Sequence, residues 1–468
     1  MLDPNRSRML AKRKQWAALC RQLSLGALAL LLFLMPFRLS LTVIERPLPH
    51  IPPEFSSFLF YASDVLLLFT LSTWLAYHLL ALKNPISLAP WFITLPLVWL
   101  VFISLLSIFW APAPWVAAET AIRLLACIAL YLHIRNEMED FRLAAQALII
   151  GLLFQSILAI LQFVWQRALG LGWLGEVDVV LSKEDLWVRG FGLSRHPNIL
   201  GGYLLMGLAA VLALKLQTRH SLETADPQRP HSKLPVWTLS QAIGVSGLLS
   251  TFSRSAWIGV VTSWSMAALS LTWRGASTKH MSRAFWHLVA VALLVATIFI
   301  LIYPNLFYAR LIGPMLPQWG HSLPQRVDHE MNNLAERADL ISGARQMIAT
   351  HLLTGVGSGN YAIASLRQDP ARPPEWAYLP VHNVLLLITA ELGLSGGLAW
   401  LLLSGGWLVA TAWQWRRLAR DPWFLAWSLV IWGLLVTSIW DFYIWGWQYG
   451  RLFFFTALGL WTAAYSRR

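Results

Sequence analysis

Twelve apolar runs, each about as long as a helix that crosses a bilayer, constrain this chain more than any other feature. They fall near 22–44, 60–82, 91–110, 115–134, 143–165, 198–214, 236–251, 255–273, 285–303, 383–412, 423–440 and 447–466. A helix needs about 20 mostly apolar residues to span the hydrocarbon core. Composition agrees. Apolar residues make up 57% of the 468 and charged ones only 13%, whereas soluble domains carry about 25% charged residues. That excludes a soluble enzyme and a disordered chain. The net charge of +13 is no sign of nucleic acid, because the apolar bulk must first be placed in lipid. Cys20 and Cys127 lie in or beside apolar runs and read as inert thiols. The expected fold class is therefore an all-α polytopic membrane protein of about 12 transmembrane helices. It divides into a bundle over 1–303 (spans 1–9), a large loop over 304–382 and a second bundle over 383–468 (spans 10–12). The pair around 236–273 is short, and its members meet at Thr251-Phe252-Ser253-Arg254-Ser255.

Lysine and arginine set the orientation. Arg6, Arg8, Lys12, Arg13, Lys14 and Arg21 place the N-terminus in the cytoplasm. The first run is long and no small-residue cleavage site follows, so it reads as a retained span rather than a signal peptide. Alternating from there, every inner loop is basic: Lys83; Arg135 and Arg142; Lys215, Arg219, Arg229 and Lys233; Arg274, Lys279 and Arg283; Arg416, Arg417 and Arg420; then Arg467 and Arg468. Both termini are thus expected in the cytoplasm, in a multi-pass protein of the cytoplasmic (inner) membrane.

The remaining basic residues are all arginine save Lys183. Arginine carries a planar fork of donors that matches phosphate and stays charged. An arginine-rich proteome explains this bias as well as an outer surface that handles phosphate does. Four constellations lie on or near the outer side. The first is Arg189-Gly190-Phe191-Gly192-Leu193-Ser194-Arg195-His196-Pro197-Asn198, whose glycines and Pro-Asn form a tight entry to a span. The second is Arg254 between two short apolar runs, where a charge faces a cavity or partner unless it snorkels to the edge. The third is 334–353, an amphipathic helix with Arg337 and Arg345, followed by Gly355-Val356-Gly357-Ser358-Gly359-Asn360-Tyr361. That glycine run fits a plain helix stop as well as a phosphate loop. The fourth is His382-Asn383 at the start of the tenth span, with Glu391 and Gly393 farther in.

These groups complement one another. Permanent cations beside one imidazole suit transfer from a diphosphate leaving group: arginines stabilise charge on the phosphate oxygens, and a neutral histidine accepts a proton from an attacking hydroxyl. Glu119 and Arg123, four apart on one span, are expected to pair with each other. Asp64 and Asp441 have no partner visible in the sequence. No DxD, HExxH or paired-cysteine pattern offers a metal site, and Glu184-Asp185 reads as solvated loop charge. No metal or cofactor is expected.

The stretches RGFGLSRHPNILGGYLL at 189–205, STFSRSAWIG at 250–259, ERADLISGARQMIATHLLTGVGSGNY at 336–361 and HNVLLLITAELGLSGG at 382–397 resemble the O-antigen ligase / O-antigen polymerase (Wzy-like) family of bacterial membrane glycosyltransferases. The order of the four, the large loop between spans 9 and 10 and the twelve-span plan agree with that family. The resemblance implies a GT-C-like helical fold acting on an undecaprenyl-diphosphate-linked glycan at the outer face of the cytoplasmic membrane. The glycan passes to a hydroxyl acceptor, either lipid A–core or a growing polysaccharide; the residues themselves suggest a transfer without metal, and a single direct displacement would invert the anomeric centre. By the same resemblance, His382 and Arg337 are the catalytic candidates. Arg189, Arg254, Arg195 and Arg345 are the candidates for holding the diphosphate. The motifs are shared by ligases and polymerases, and protein O-glycosylases also stay open. A transporter or flippase for a solute or lipid-linked sugar is the alternative class, which would form no new glycosidic bond. Against it stand the absence of an inverted repeat and of paired broken helices. A scaffold for envelope assembly has no need of clustered arginines.

Overall fold

The computed structural model describes residues 4–81, 85–178, 187–225, 234–272, 279–312, 324–370 and 378–467. Helices dominate it. In chain order they are α1 (Pro4–Leu34), α2 (Ala62–Ala81), α3 (Trp91–Leu106), α4 (Pro114–Glu137), α5 (Phe141–Trp165), α6 (Pro197–Ala225), α7 (Leu234–Ser250), α8 (Arg254–Thr272) and α9 (Lys279–Ile302). There follow the single turn α10 (Pro304–Phe307), α11 (Pro324–Thr350), α12 (Tyr361–Gln368), α13 (Val384–Trp413), α14 (Trp415–Leu418), α15 (Pro422–Thr437), α16 (Tyr443–Gly446) and α17 (Gln448–Tyr465). Among the described residues, eight helices are long and apolar enough to cross a membrane: those containing Met9–Leu34, Ala62–Ala81, Trp91–Phe109, Pro114–Glu137, Phe141–Trp165, Pro197–Thr218, Met281–Ile302 and Val384–Trp413. α7, α8, α15 and α17 occupy the other four expected positions but are shorter or more polar. The structure thus supplies a helix at each position and shows eight candidate crossings.

Proline and glycine explain much of the helix punctuation. The first run stops at Leu34 rather than 44, because Pro36 cannot continue the helix. The β-branched residues that follow pair instead as a hairpin, β1 (Ser40–Ile44) with β2 (Phe58–Tyr61), Ser40 opposite Tyr61 and Thr42 opposite Leu59. This small antiparallel sheet is the one departure from an all-α plan among the described residues. Its connection, rich in proline, carries Glu54 and Phe55 back onto the bundle.

α6 lies at the centre: every residue of its apolar window is buried. α17 is buried from Gln448 to Ala464. Close packing there depends on missing side chains. A Cβ at Gly202 would stand 2.2 Å from the Tyr443 hydroxyl oxygen, and one at Gly151 would stand 1.8 Å from that of Tyr203. α9, by contrast, has only 11% of its apolar window buried and faces outward. α7 and α8 are separate helices that break at Thr251–Ser253, where Phe252 takes a φ of 47°. α11 begins ten residues ahead of the expected amphipathic segment and ends at Thr350. Leu340, Ala344 and Met347 form its buried stripe, as the spacing predicts. α13 is kinked at Gly393, whose φ is 70°; the turn after α11 packs into the kink, with Leu394 N–H bonded to Leu352 O at 2.8 Å.

Candidate active site

The N-terminus of α6, the α7–α8 break, the segment 308–312, α11 and the turns flanking α13 and α15 converge at one end of the bundle. Pro197 pre-sets the first turn of α6, and the loop before it folds tightly. Gly192 takes a φ of 56°, and a Cβ at Gly190 would stand 2.6 Å from both Ala159 O and Ser250 Oγ. This loop aims Arg189 across the α7–α8 break. Its Nε donates to Thr251 O at 2.8 Å and its Nη2 donates to Asn198 Oδ1 at 2.9 Å. The Asn198 amide in turn donates to Asp441 Oδ2 at 2.6 Å. Asp441 Oδ1 accepts the Phe442 N–H at 2.9 Å. A chain of three side chains thus ties Arg189 to a buried carboxylate far away in sequence.

His382 is placed from the other side. Asn383 caps α13, accepting Leu386 N–H at 2.9 Å and donating to Ile439 O at 3.1 Å. The His382 ring stands edge-on to Phe442, with centroids 5.0 Å apart. Its Nδ1 is buried and has no hydrogen-bond partner among the described residues. Burial, and then the positive charge of Arg337 on α11, lower its pKa from 6.5 to about 3. The same Arg337 charge acts on Asp441, opposing the burial that pushes that carboxyl up. His196 is lowered well below its ordinary value by burial and then by Arg189, His382, Arg195 and Arg310. Arginines and imidazoles from four separate segments therefore act on one another here.

Two further arginines come through the backbone. Arg254 Nη1 donates to Arg310 O at 3.2 Å, and Arg310 Nε donates to Phe252 O at 3.3 Å. Arg310 is only 8% exposed. Arg195 pairs with Glu54 on the hairpin connection, Nε to Oε1, at 2.6 Å. Of the sequence candidates, Arg189, Arg195, Arg254, Arg337 and His382 gather. Arg345 does not: it is exposed on α11, eight residues beyond Arg337, about 12 Å farther along the helix.

The glycine run of 355–361 is a structural insert rather than a phosphate cradle. Gly355, Gly357 and Gly359 all take positive φ. Val356 and Gly357 N–H groups bond to Ala390 O and Glu391 O at 2.9 and 2.8 Å. Asn360, fully buried, accepts Ala113 N–H at 2.8 Å. The loop's N–H groups are spent on α13 and, through Ser358, on the Ser107 hydroxyl at the end of α3. The Glu119–Arg123 pair is present at 2.9 Å, and Arg123 also meets Asp64 at 2.8 Å. His196 and Asn198 lie in the first constellation read from the sequence but have no role of their own there; Asp441 has no partner visible in the sequence and Arg310 no role. A lone acid or amide beside apolar runs was the one available signal. Glu184, Asp185 and Lys183 lie outside the described residues. Among the described residues, no three His, Cys, Asp or Glu side chains gather as metal ligands.

Residues 239–401 match the model of a family described as O-antigen ligase. Over this stretch, less than half of the chain, the protein is similar to that family. The match runs from α7 into α13 and takes in Arg254, Arg310, Arg337 and His382. Arg189, Asn198 and Asp441, which the fold brings to the same place, lie outside the matched stretch. None of the curated proteins compared matches the chain. The matched stretch takes in Met281–Ile302 and most of Val384–Trp413, two of the eight helices that, among the described residues, are long and apolar enough to cross a membrane.

Proposed function

We propose that the protein transfers a glycan from an undecaprenyl-diphosphate carrier to a hydroxyl acceptor at the outer face of the cytoplasmic membrane. The observation that carries this is the gathering of Arg189, Arg254 and Arg310 around the α7–α8 break, with Arg189 tied through Asn198 to Asp441 and the His382 ring packed on the adjacent Phe442. In this reading the N-terminus and C-terminus are cytoplasmic, and the cluster opens on the far side. The arginines bind the diphosphate and stabilise the charge that develops as it leaves.

The acceptor oxygen attacks the anomeric carbon. The bond from that carbon to the diphosphate oxygen breaks, and its electron pair departs with undecaprenyl diphosphate. The proton of the acceptor hydroxyl passes to Nδ1 of His382, the ring atom left without a partner. Without donor, His382 is too weak a base, because burial and Arg337 disfavour its charged form. A bound diphosphate offsets the Arg337 charge and lifts the imidazole toward the range where it accepts a proton at neutral pH. The base is therefore activated by the substrate that needs it. Asp441 and Asn198 hold Arg189 in place. One direct displacement inverts the anomeric centre.

The acceptor distinguishes lipid A–core ligation from chain polymerisation, and incubation with the lipid-linked glycan alone separates the two: elongation without another acceptor marks a polymerase. Arg337→Ala and His382→Ala should each abolish transfer while the protein stays in the membrane. Near-normal transfer by either variant would remove that residue from the mechanism.

A further inference from the structure

A second polar pocket lies on the other side of the aromatic wall that backs His382. His382 packs on Phe442, and Phe442 packs on Trp447 with centroids 5.0 Å apart. Trp447 also stands 6.3 Å from His196 and 6.2 Å from Phe55. Beyond this wall is a cavity of about 40 Å³, lined in part by Glu54, Tyr61, Glu119, Arg123, Gln448 and Arg451. It joins the arginine cluster through the Glu54–Arg195 bridge at 2.6 Å.

Three buried polar atoms of residues lining this cavity have no hydrogen-bond partner among the described residues: Glu54 Oε2, Gln448 Oε1 and Trp447 Nε1. The Glu54 side chain and Gln448 are each only 5% exposed. Gln448 is fixed by donating its amide to Asp64 Oδ1 at 3.1 Å, which leaves its oxygen for the cavity. Unsatisfied buried groups are costly, and several at one place call for a ligand or water. The set is one donor, Trp447 Nε1, and two acceptors. Adjacent hydroxyls on a sugar ring supply the matching pair of donors and an acceptor. Charge argues the same way. Glu54, Asp64 and Glu119 are balanced by Arg195, Arg123 and Arg451 in and around the pocket, so it suits a neutral group and not a second phosphate. The volume takes hydroxyls but not a whole ring.

We propose that this pocket is the subsite for a neutral sugar of the acceptor, two of whose hydroxyls bind Glu54, Gln448 and Trp447. This rests on the proposed function. An inverting displacement brings the acceptor in opposite the leaving group. The pocket meets the arginine cluster at the Glu54–Arg195 bridge, so a sugar anchored there reaches the cluster from the side of the hairpin connection.

The test is equilibrium binding of lipopolysaccharide core oligosaccharide, freed of lipid by mild acid, to the full-length protein in nanodiscs. Trp447→Phe keeps a ring and removes the N–H; Gln448→Met removes the acceptor oxygen. Each should weaken oligosaccharide binding about tenfold, the loss of one hydrogen bond that leaves its partner unsatisfied. Neither should change binding of undecaprenyl diphosphate, which also shows that both variants are folded. Equal oligosaccharide binding by all three proteins would mean that the pocket holds only water, and would overturn the subsite. No binding by the unaltered protein would overturn it as well. Oligosaccharide binding that behaves as expected, in a protein that transfers nothing, would sink the proposed function and leave a sugar-binding pocket that serves no acceptor.

Discussion

Replacing Asn198 by leucine should damage activity while leaving the bundle folded. Asn198 is 8% exposed and stands between Arg189 and Asp441, at 2.9 and 2.6 Å. Leucine has a similar volume and no polar atom. The change leaves Asp441 Oδ2 without its donor and Arg189 Nη2 without its acceptor. Hydrogen bonds to charged groups are worth about 1.5–3 kcal/mol each. Taking the lower value for both gives about 3 kcal/mol. If that energy serves to hold Arg189 on the departing diphosphate, it appears in the barrier, where about 1.4 kcal/mol is a factor of ten. The expected loss in kcat/KM is therefore at least about a hundredfold. The assay is transfer from undecaprenyl-diphosphate glycan in nanodiscs, with thermal unfolding followed in parallel. Arg189 keeps its bond to Thr251 O, so some activity should survive, unlike in Arg337→Ala. A variant that unfolds normally and transfers within about threefold of the parent would refute the idea that this chain of bonds positions Arg189.

Three other outcomes follow from the structure. The His382 ring is held neutral, with a pKa of about 3 against an ordinary 6.5. The unfolded chain then binds the extra proton first, so the stability tied to this ring is full above about pH 6.5 and is lost as pH falls toward 3; Arg337→Gln should raise the ring's pKa, read by NMR of labelled histidine. Gly393→Ala should destabilise by about 1–3 kcal/mol, since φ is 70° and a Cβ would stand 2.2 Å from Leu353 O; Gly405→Ala, with open space around it, should leave the melting temperature unchanged or higher. Arg123→Leu strands Asp64, which is 7% exposed, and should cost about 3–5 kcal/mol, whereas the double change with Asp64→Leu should recover much of it, as chemical denaturation in detergent would show.

What the sequence disclosed was local, and what it hid was long-range. Apolar runs near 20 residues located the helices, and the four-residue spacing of Glu119 and Arg123 located their pair. The period of Leu340, Ala344 and Met347 located the buried face of α11. The hairpin was hidden because 40–44 continues the apolar run of α1, and only Pro36 separates helix from strand. Asp441 reaches Asn198 across 243 residues, and no spacing rule connects them. The glycine run of 355–361 has the composition of a phosphate loop, yet its N–H groups go to the kinked helix beside it. Residue type alone could not separate those two uses. Arg345 shares a helix with Arg337, but its place eight positions farther along puts it outside the cluster.

The central claim is that the arginine–histidine cluster breaks the bond between glycan and carrier lipid. It is tested most directly by counting free undecaprenyl diphosphate against transferred glycan, with purified protein, lipid-linked donor and acceptor in one membrane. One molecule of free undecaprenyl diphosphate should appear for each glycan transferred, and both should vanish in His382→Ala. Glycan that crosses the membrane still joined to its lipid, with no free undecaprenyl diphosphate, would contradict it and would point to a transporter.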